Sequence, residues 1–283
     1  MRKLVVILNR LAHHPSALVG LIITVTLVVL AVAAPLIAPH DPIRQNLGLA
    51  LRPPSPTNPL GTDEFGRDIA SRILYGATIS LQVGALVVLL SGTIGVVLGL
   101  LAGFYERWID QVISRAIEVL LAFPGLLLTI AAVTVLGPSL VNALLAVAFA
   151  NIPRYARITR GAVLAQKHRD YVDAARAIGA RDKRLILVHI LPNVAAPIVV
   201  VASLGVASAI LTTSSLSFLG LGAQPPDPEW GAMLATGRTY MRRAWWLTMF
   251  PGLAIMVTVL AINLVGDGLR DILDPRGQRG SNI

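Results

Sequence analysis

Long stretches without a charged residue constrain this chain more than any other feature of its sequence. One covers residues 73–105, between Arg72 and Glu106, and another covers residues 119–153. A helix needs about 20 apolar residues to cross a bilayer, where every backbone polar group must be satisfied within the protein. Only 14% of the 283 residues are charged, whereas soluble domains have roughly 25%. The sequence therefore predicts an all-α integral membrane protein.

Six segments have the length and apolarity of a spanning helix. A Gly-Pro-Ser turn at 137–139 divides the second long stretch between two of them. The predicted spans are 17–38, 80–103, 114–136, 140–160, 196–219 and 246–267. Pro124 and Pro251 fall inside the third and sixth spans, and we expect kinks there because proline removes a backbone hydrogen bond.

The first span also has features of a secretory signal peptide. Arg2, Lys3 and Arg10 precede it, and the sequence Ala-Val-Ala-Ala-Pro resembles a cleavage site. Its uncharged run, residues 15–39, is longer than the about 7–15 residues of a signal-peptide core. We therefore expect a retained transmembrane helix.

The distribution of lysine and arginine predicts the orientation. Segment 154–184 has nine of these residues and three aspartates, whereas segment 40–75 has four of them and four acidic residues. Because cytoplasmic loops carry the excess of lysine and arginine, both termini are predicted to be cytoplasmic. The predicted organisation is an N-terminus at 1–16, a first transmembrane helix at 17–38, an external segment at 39–79, a membrane domain at 80–270 with a cytoplasmic loop at 161–195, and a cytoplasmic tail at 271–283.

Several function classes are disfavoured by what the sequence contains. The net charge of +9 comes from basic residues placed between apolar runs, which favours an anionic membrane surface over nucleic acid. There is no cysteine and no phosphate-binding, zinc-protease or nucleophile-elbow motif, so we predict no catalytic residue, no metal site and no cofactor in this chain. An ion-coupled secondary transporter is a distant alternative, because the centres of the six spans carry no ionisable side chain.

Three glycines recur at every fourth position of the second span. Gly95, Gly99 and Gly103 therefore share one helix face, and glycine at this spacing lets two helix backbones approach closely. We predict that they pack against a neighbouring helix of the chain, with a subunit or pore contact as the alternative.

The stretch at 171–193, YVDAARAIGARDKRLILVHILPN, lies within the basic loop. Its pattern predicts a short helix at 171–178, a stop at Gly179 and a second helix from Arg181. Leu185, Ile186, Val188 and Leu191 are expected to anchor the second helix, and Pro192 to begin a turn. The residues alone are compatible with a docking surface, whose alanine-rich sides admit a partner backbone, or with a solvated loop helix.

The same residues resemble the EAA loop of ABC importer permeases. Ala174, Ala175, Gly179, Leu191 and Pro192 match that pattern in register. Asp173 stands where the family has glutamate, and His189 where it has isoleucine. The resemblance implies a coupling helix that docks on an ATPase subunit. The coupling residues it implies are Tyr171, Asp173, Ala174, Ala175, Arg176, Ala177, Gly179, Ala180, Leu191 and Pro192.

Three further segments, 58–81, 216–231 and 263–276, are similar to the second, or C-type, permease subunit of dipeptide, oligopeptide and nickel importers. The resemblance implies six transmembrane helices in the type I ABC importer permease fold, with 80–270 as the permease domain. The outer segments suit contact with a binding protein or a partner permease, or form an internally paired turn. The residues expected to make that contact are Asp63, Glu64, Arg67, Asp68 and Trp230.

The family resemblance also implies the partners and the cargo. They are a homologous permease forming a heterodimer, two ABC ATPase subunits that use ATP and Mg²⁺, an extracytoplasmic substrate-binding protein and membrane lipid, without nucleic acid. The chain is then a non-catalytic, multi-pass subunit of a prokaryotic cytoplasmic (inner) membrane importer. Dipeptides or oligopeptides are the expected substrates, and nickel complexes, glutathione or other small peptide-like solutes are the alternatives.

Overall fold

The computed structural model describes residues 15–273, which form helices and connecting turns without a β-sheet. This confirms the predicted all-α class for that part of the chain. The predicted N-terminus (1–16) and tail (271–283) lie largely outside the described residues. Besides a short 3₁₀-helix at Leu47–Leu49, the described residues form nine helices in order: α1 (Pro15–Ile37), α2 (Ile69–Tyr105), α3 (Arg107–Leu121), α4 (Gly125–Leu136), α5 (Leu140–Lys167), α6 (Asp170–Ala177), α7 (Asp182–Phe218), α8 (Trp230–Tyr240) and α9 (Trp246–Leu273).

Four of these helices, α1, α2, α7 and α9, are long and apolar enough to cross a membrane. They include the predicted first, second, fifth and sixth spans almost completely. The bent pair of α3 and α4 makes a fifth span if it is counted as one. Helix α5 is 28 residues long, but Asn151, Arg154 and Arg157 interrupt its apolar sequence. The total of six spans therefore stays a prediction.

The helical structure is interrupted at Pro124, where the sequence predicted only a kink. Helix α3 ends at Leu121 and α4 begins at Gly125, and the two are bent by 88°. The Pro124 ring prevents the α3 ladder from continuing, while its carbonyl accepts a hydrogen bond from Leu128 in α4. The span predicted at 114–136 therefore consists of two helices separated at Pro124, and not of one kinked helix. Helix α9, by contrast, continues through Pro251.

The prediction that Pro192 begins a turn is wrong, because helix α7 runs without interruption from Asp182 to Phe218. Its start at Leu185–Ile190 is π-helical, and the Leu191 N–H donates to the carbonyl of Ile186. A π-helical turn is wider than an α-helical one, which relieves the clash between a proline ring and the preceding turn. Pro192 is thereby accommodated inside a continuous helix.

The core lies where α2, α4, α5 and α7 meet. Val87 of α2, Val133 of α4, Val147 of α5 and Leu216 of α7 are buried in one apolar cluster. Helix α1 lies beside this group against α2 and α9, and the Thr78 hydroxyl of α2 donates to the carbonyl of its Ala31 (2.8 Å). The arrangement leaves polar segments at the two ends of the helices.

Segments predicted to share a side of the membrane contact one another. At one end, Arg72 donates to the carbonyl of Pro226, and Trp246 Nε1 donates to the carbonyl of Thr62. At the other end, Lys167 pairs with Glu106 (3.0 Å). We refer to these as the outer and inner ends, following the predicted orientation.

Candidate functional site

The short helix α6 stands at the inner end and stops in a left-handed turn at Gly179, where φ is 87°. The Gly179 N–H donates to the carbonyl of Arg176, and the Ala180 N–H donates to the carbonyl of Ala175, both at 3.0 Å. This is a Schellman arrangement, in which glycine adopts positive φ and the last helix carbonyls are satisfied. The predicted helix boundaries are correct to within one residue at each end.

One face of α6 packs against its own chain. Val172 and Ala175 are buried, and they contact a cluster that contains Leu185 and Ile190 of α7. Ala175 is therefore covered, and the expectation that it would meet a partner backbone is wrong. The predicted coupling residues on the exposed part of α6 are Tyr171, Asp173, Ala174, Arg176 and Ala177.

Ile178 ends this helix and is 87% exposed. A large apolar side chain at the tip of a helix is a feature of contact surfaces when its neighbours are exposed too. The sequence pattern indicated Ile178 only as the end of the helix and not as a contact residue. Its position between the alanine-rich helix and Gly179 was the available signal.

The anchor of α7 also differs in part from the predicted one. Leu185 and Ile190 are fully buried, whereas Val188 is 57% exposed and anchors nothing. Of the predicted coupling residues on this helix, Leu191 is half-buried and Pro192 is exposed. The π-helical turn explains the discrepancy, because it shifts the buried face relative to a regular α-helix.

Two ion pairs hold α5 at its inner end, one with Glu106 between α2 and α3 and one with Asp110 of α3. Lys167 bonds to Glu106, and Arg160 binds Asp110 through both Nε (2.5 Å) and Nη2 (2.6 Å). The Lys167 hydrogen bond lowers the pKa of the Glu106 carboxyl group. These pairs hold the base of the loop, while α6 is exposed beyond them.

The three glycines of α2 lie against α5. A Cβ built on Gly95 would lie 2.6 Å from Cβ of Tyr155, and one built on Gly99 would lie 2.6 Å from the carbonyl oxygen of Ala156. A Cβ on Gly103 would come equally close to α5, at 2.8 Å. Real side chains do not approach so closely, so these positions require glycine for contact between α2 and α5 within the chain.

The outer segment is an internally bonded turn. Asp63 accepts hydrogen bonds from the backbone N–H groups of Phe65 and Arg67 and binds the Arg67 guanidinium (2.5 Å). Asp68 accepts hydrogen bonds from Ser71 and caps α2. Asp63, Arg67 and Asp68 are 3–4% exposed, so they lie off the surface on which a partner contact was predicted.

Trp230 is buried as well, and its Nε1 donates to the carbonyl of Ile73 (3.1 Å). Only Glu64 of the predicted contact residues is partly exposed. Arg72 was not among the residues predicted from the sequence, although it is the central residue here. Its guanidinium donates to the carbonyls of Pro42, Pro226 and Asp227 and so joins three separate segments.

Two known protein families match parts of this sequence. Residues 95–279 match the family described as binding-protein-dependent transport system inner membrane component. Residues 4–54 match the N-terminal transmembrane domain of oligopeptide transport permease C.

Curated relatives match over almost the whole chain. The di/tripeptide transport system permease protein DppC of Pseudomonas aeruginosa is 49% identical over 271 residues, which cover 94% of this chain and 89% of that protein. The dipeptide transport system permease protein DppC of Alkalihalophilus pseudofirmus is 48% identical over 268 residues, with 95% and 88% covered. Its counterpart in Escherichia coli K12 is 49% identical over 270 residues, with 93% and 90% covered.

Solved structures share the fold at low sequence identity. An inward-facing MetNI methionine ABC transporter matches with a TM-score of 0.58 and 16% identity, covering 72% of this chain and 96% of that one. An amino acid ABC transporter with histidines matches with a TM-score of 0.54 and 17% identity, covering 74% and 94%. The chain therefore belongs to the family of binding-protein-dependent transport system inner membrane components and is a permease subunit of an ABC importer.

Proposed function

We propose that this permease subunit carries dipeptides and related short peptides inward, driven by ATP hydrolysis in partner subunits. Relatives whose names specify dipeptide or di/tripeptide transport are 48–49% identical over at least 93% of this chain, which supports the peptide class. Nickel complexes, glutathione and other small peptide-like solutes are the competing cargoes.

The observation that carries the mechanism is the exposed side of α6. Tyr171, Ala174, Ala177 and Ile178 project from a helix that Gly179 fixes to α7. Small alanine side chains admit a partner backbone, and Ile178 supplies an apolar anchor. We propose that this face docks in a groove of an ABC ATPase subunit, so that movement of the ATPase moves α6 and α7 together.

The chain then acts as the non-catalytic half of a permease pair. A homologous permease completes the path, two ATPase subunits bind ATP and Mg²⁺, and a substrate-binding protein delivers peptide on the outer side. In this assembly the permease has no cofactor and no bond-breaking step of its own, and both termini and α6 are cytoplasmic.

Transport by the whole importer tests the substrate class. The complex is reconstituted in proteoliposomes with ATP inside and with its loaded binding protein outside. Uptake of radiolabelled dialanine is compared with uptake of nickel–histidine complexes and glutathione. We expect ATP-dependent dialanine uptake, and preferential uptake of either other solute would reassign the cargo.

Hydrolysis measurements test the division of labour. The purified chain alone is expected to release no phosphate from ATP above a heat-treated control, whereas the assembled complex hydrolyses ATP. Robust hydrolysis that copurifies with the isolated chain through every step would contradict a non-catalytic role.

A further inference from the structure

Two arginines of α5 lie opposite the uncharged part of α2. Gly95 and Gly99 of α2 contact the α5 backbone along residues 152–160. Arg154 and Arg157 lie within this stretch of α5, and both side chains are exposed.

Their depth follows from the ion pair at the inner end. Gly95 and Gly99 precede Glu106, which binds Lys167, by 11 and 7 residues. At a rise of about 1.5 Å per residue, the level of the two arginines is about 10–17 Å from that ion pair. This level falls within the stretch of α2 that has no charged residue and that spans the bilayer.

Neither arginine has a carboxylate within 4 Å anywhere in residues 15–273, so neither is neutralised by the described part of its own chain. The next arginine along α5 behaves differently, because Arg160 is held by Asp110. An unpaired arginine facing lipid at this depth is strongly unfavourable, and such side chains generally face water-filled cavities or partners.

The helices before and after Pro124 contact α5 at different levels. Toward the outer end, Val133 of α4 packs in one cluster with Val147 of α5. Toward the inner end, Asp110 of α3 binds Arg160 of α5. Arg154 and Arg157 lie between these two contacts along α5, and both are exposed.

We propose that Arg154 and Arg157 line the aqueous path and bind the carboxylate of the passing peptide. A guanidinium forms paired, charge-assisted hydrogen bonds with a carboxylate. Every peptide with a free C-terminus has this group, so the site reads a feature common to the class and tolerates different side chains. The inference deepens the proposed peptide transport and rests on it.

Direct binding tests this site without the binding protein. The complete permease–ATPase complex is placed in lipid nanodiscs without nucleotide, and radiolabelled dialanine is bound by equilibrium dialysis. Unlabelled dialanine and dialanine amide then compete for the site. The wild type should prefer the free carboxylate at least about tenfold, because the amide cannot form the charge-assisted bonds.

The double variant Arg154→Gln/Arg157→Gln should reduce this preference to about one, and Arg154→Lys/Arg157→Lys should retain part of it because the charge is kept. Arg44→Gln is the matched control, since Arg44 is an exposed arginine of the outer segment. It should leave the preference unchanged.

An unchanged preference in the glutamine double variant, or a wild-type complex that does not distinguish dialanine from its amide, would overturn the carboxylate site. A third result would also overturn it: the glutamine variant fails to assemble, the lysine variant assembles fully, and neither prefers dialanine over its amide. The arginines would then pair with a partner permease. Dialanine uptake by the wild-type importer is measured in parallel. Uptake without a carboxylate preference refutes only this site, whereas absence of uptake refutes the peptide function itself.

Discussion

The backbone N–H of Ala180 donates a hydrogen bond to the carbonyl of Ala175 across the turn at Gly179 (3.0 Å). Ala175 is at the same time buried against a cluster that includes Leu185 of α7. Helices α6 and α7 are therefore joined both by the backbone and by side-chain packing, so a force on α6 reaches α7 without an intervening flexible loop.

Gly179→Pro should uncouple transport from hydrolysis. Proline fixes φ near −65°, far from the 87° found here, and removes the N–H that bonds to Arg176. The mismatch costs about 3 kcal/mol or more, which is enough to open the turn and to reduce uptake at least about tenfold. Dipeptide uptake and binding-protein-stimulated ATP hydrolysis are measured in the same proteoliposomes.

Gly125→Ala is the matched control for the loss of a glycine, because Gly125 has no neighbour within 4 Å of an added Cβ and no positive φ. It should transport normally. Normal uptake by Gly179→Pro at normal complex abundance would mean that α6 is only a solvated loop.

Gly99→Val should disrupt the contact between α2 and α5. Even the added Cβ would lie 2.6 Å from Cβ of Thr159, and overpacking of this kind typically costs 1–3 kcal/mol. The variant complex should be less abundant and less thermally stable than the wild type. Size-exclusion chromatography after heating measures how much intact complex remains. Gly92→Ala is the control, because an added Cβ there would be 3.8 Å from Tyr155, and it should behave as the wild type. Equal losses of stability in Gly99→Val and Gly92→Ala would contradict a specific requirement for glycine at position 99.

Glu64→Gln should change the pH dependence of stability. Burial raises the pKa of the Glu64 carboxyl group in the folded chain above its ordinary value of 4.5. The folded state therefore holds the Glu64 proton more tightly than the unfolded state does. The contribution of protonated Glu64 to stability is fully present below pH 4.5 and is lost as the pH rises through the folded-state pKa.

Glutamine stays neutral, so the midpoint of thermal unfolding of Glu64→Gln should rise relative to the wild type as the pH is raised above 4.5 and through the raised pKa of Glu64. A difference between Glu64→Gln and the wild type that does not vary with pH would contradict the burial effect.

Single cysteines in this naturally cysteine-free chain should map the orientation. Thr57 and Asp227 are exposed at the outer end, and His168 is exposed at the inner end. The three variants are Thr57→Cys, Asp227→Cys and His168→Cys. A membrane-impermeant maleimide applied to intact cells should label the first two and spare the third until the cells are opened. Labelling of His168→Cys in intact cells would invert the proposed topology.

The sequence predicted best what depends on local periodicity. The apolar stretches located the helices, and Gly179 located the end of α6, because an alanine-rich helix followed by glycine has few alternatives.

What the sequence missed depends on contacts between distant segments. Asp63 and Arg67 were expected either at a partner contact or in an internally paired turn, and the structure has the turn. The sequence could not decide between the two, because Arg72 joins chain segments more than 150 residues apart. Ala175 was predicted to lie on the docking side of α6. The prediction failed because packing on α7 determines which side of α6 is exposed, and the local sequence does not show this. The 88° break at Pro124 was seen only as a kink, since proline indicates a disruption but not its angle.

The unbroken length of α7 has a mechanical consequence. Its 37 residues make a rod about 55 Å long, with Leu185 seated beneath α6 at one end and Ser214 bound to Glu229 beside α8 near the other. A tilt of about 10° around the middle of such a rod displaces each end by about 5 Å in opposite directions. If α6 docks on an ATPase subunit as proposed, the helix would then act as a lever, and a small inner displacement would give an equal and opposite outer one.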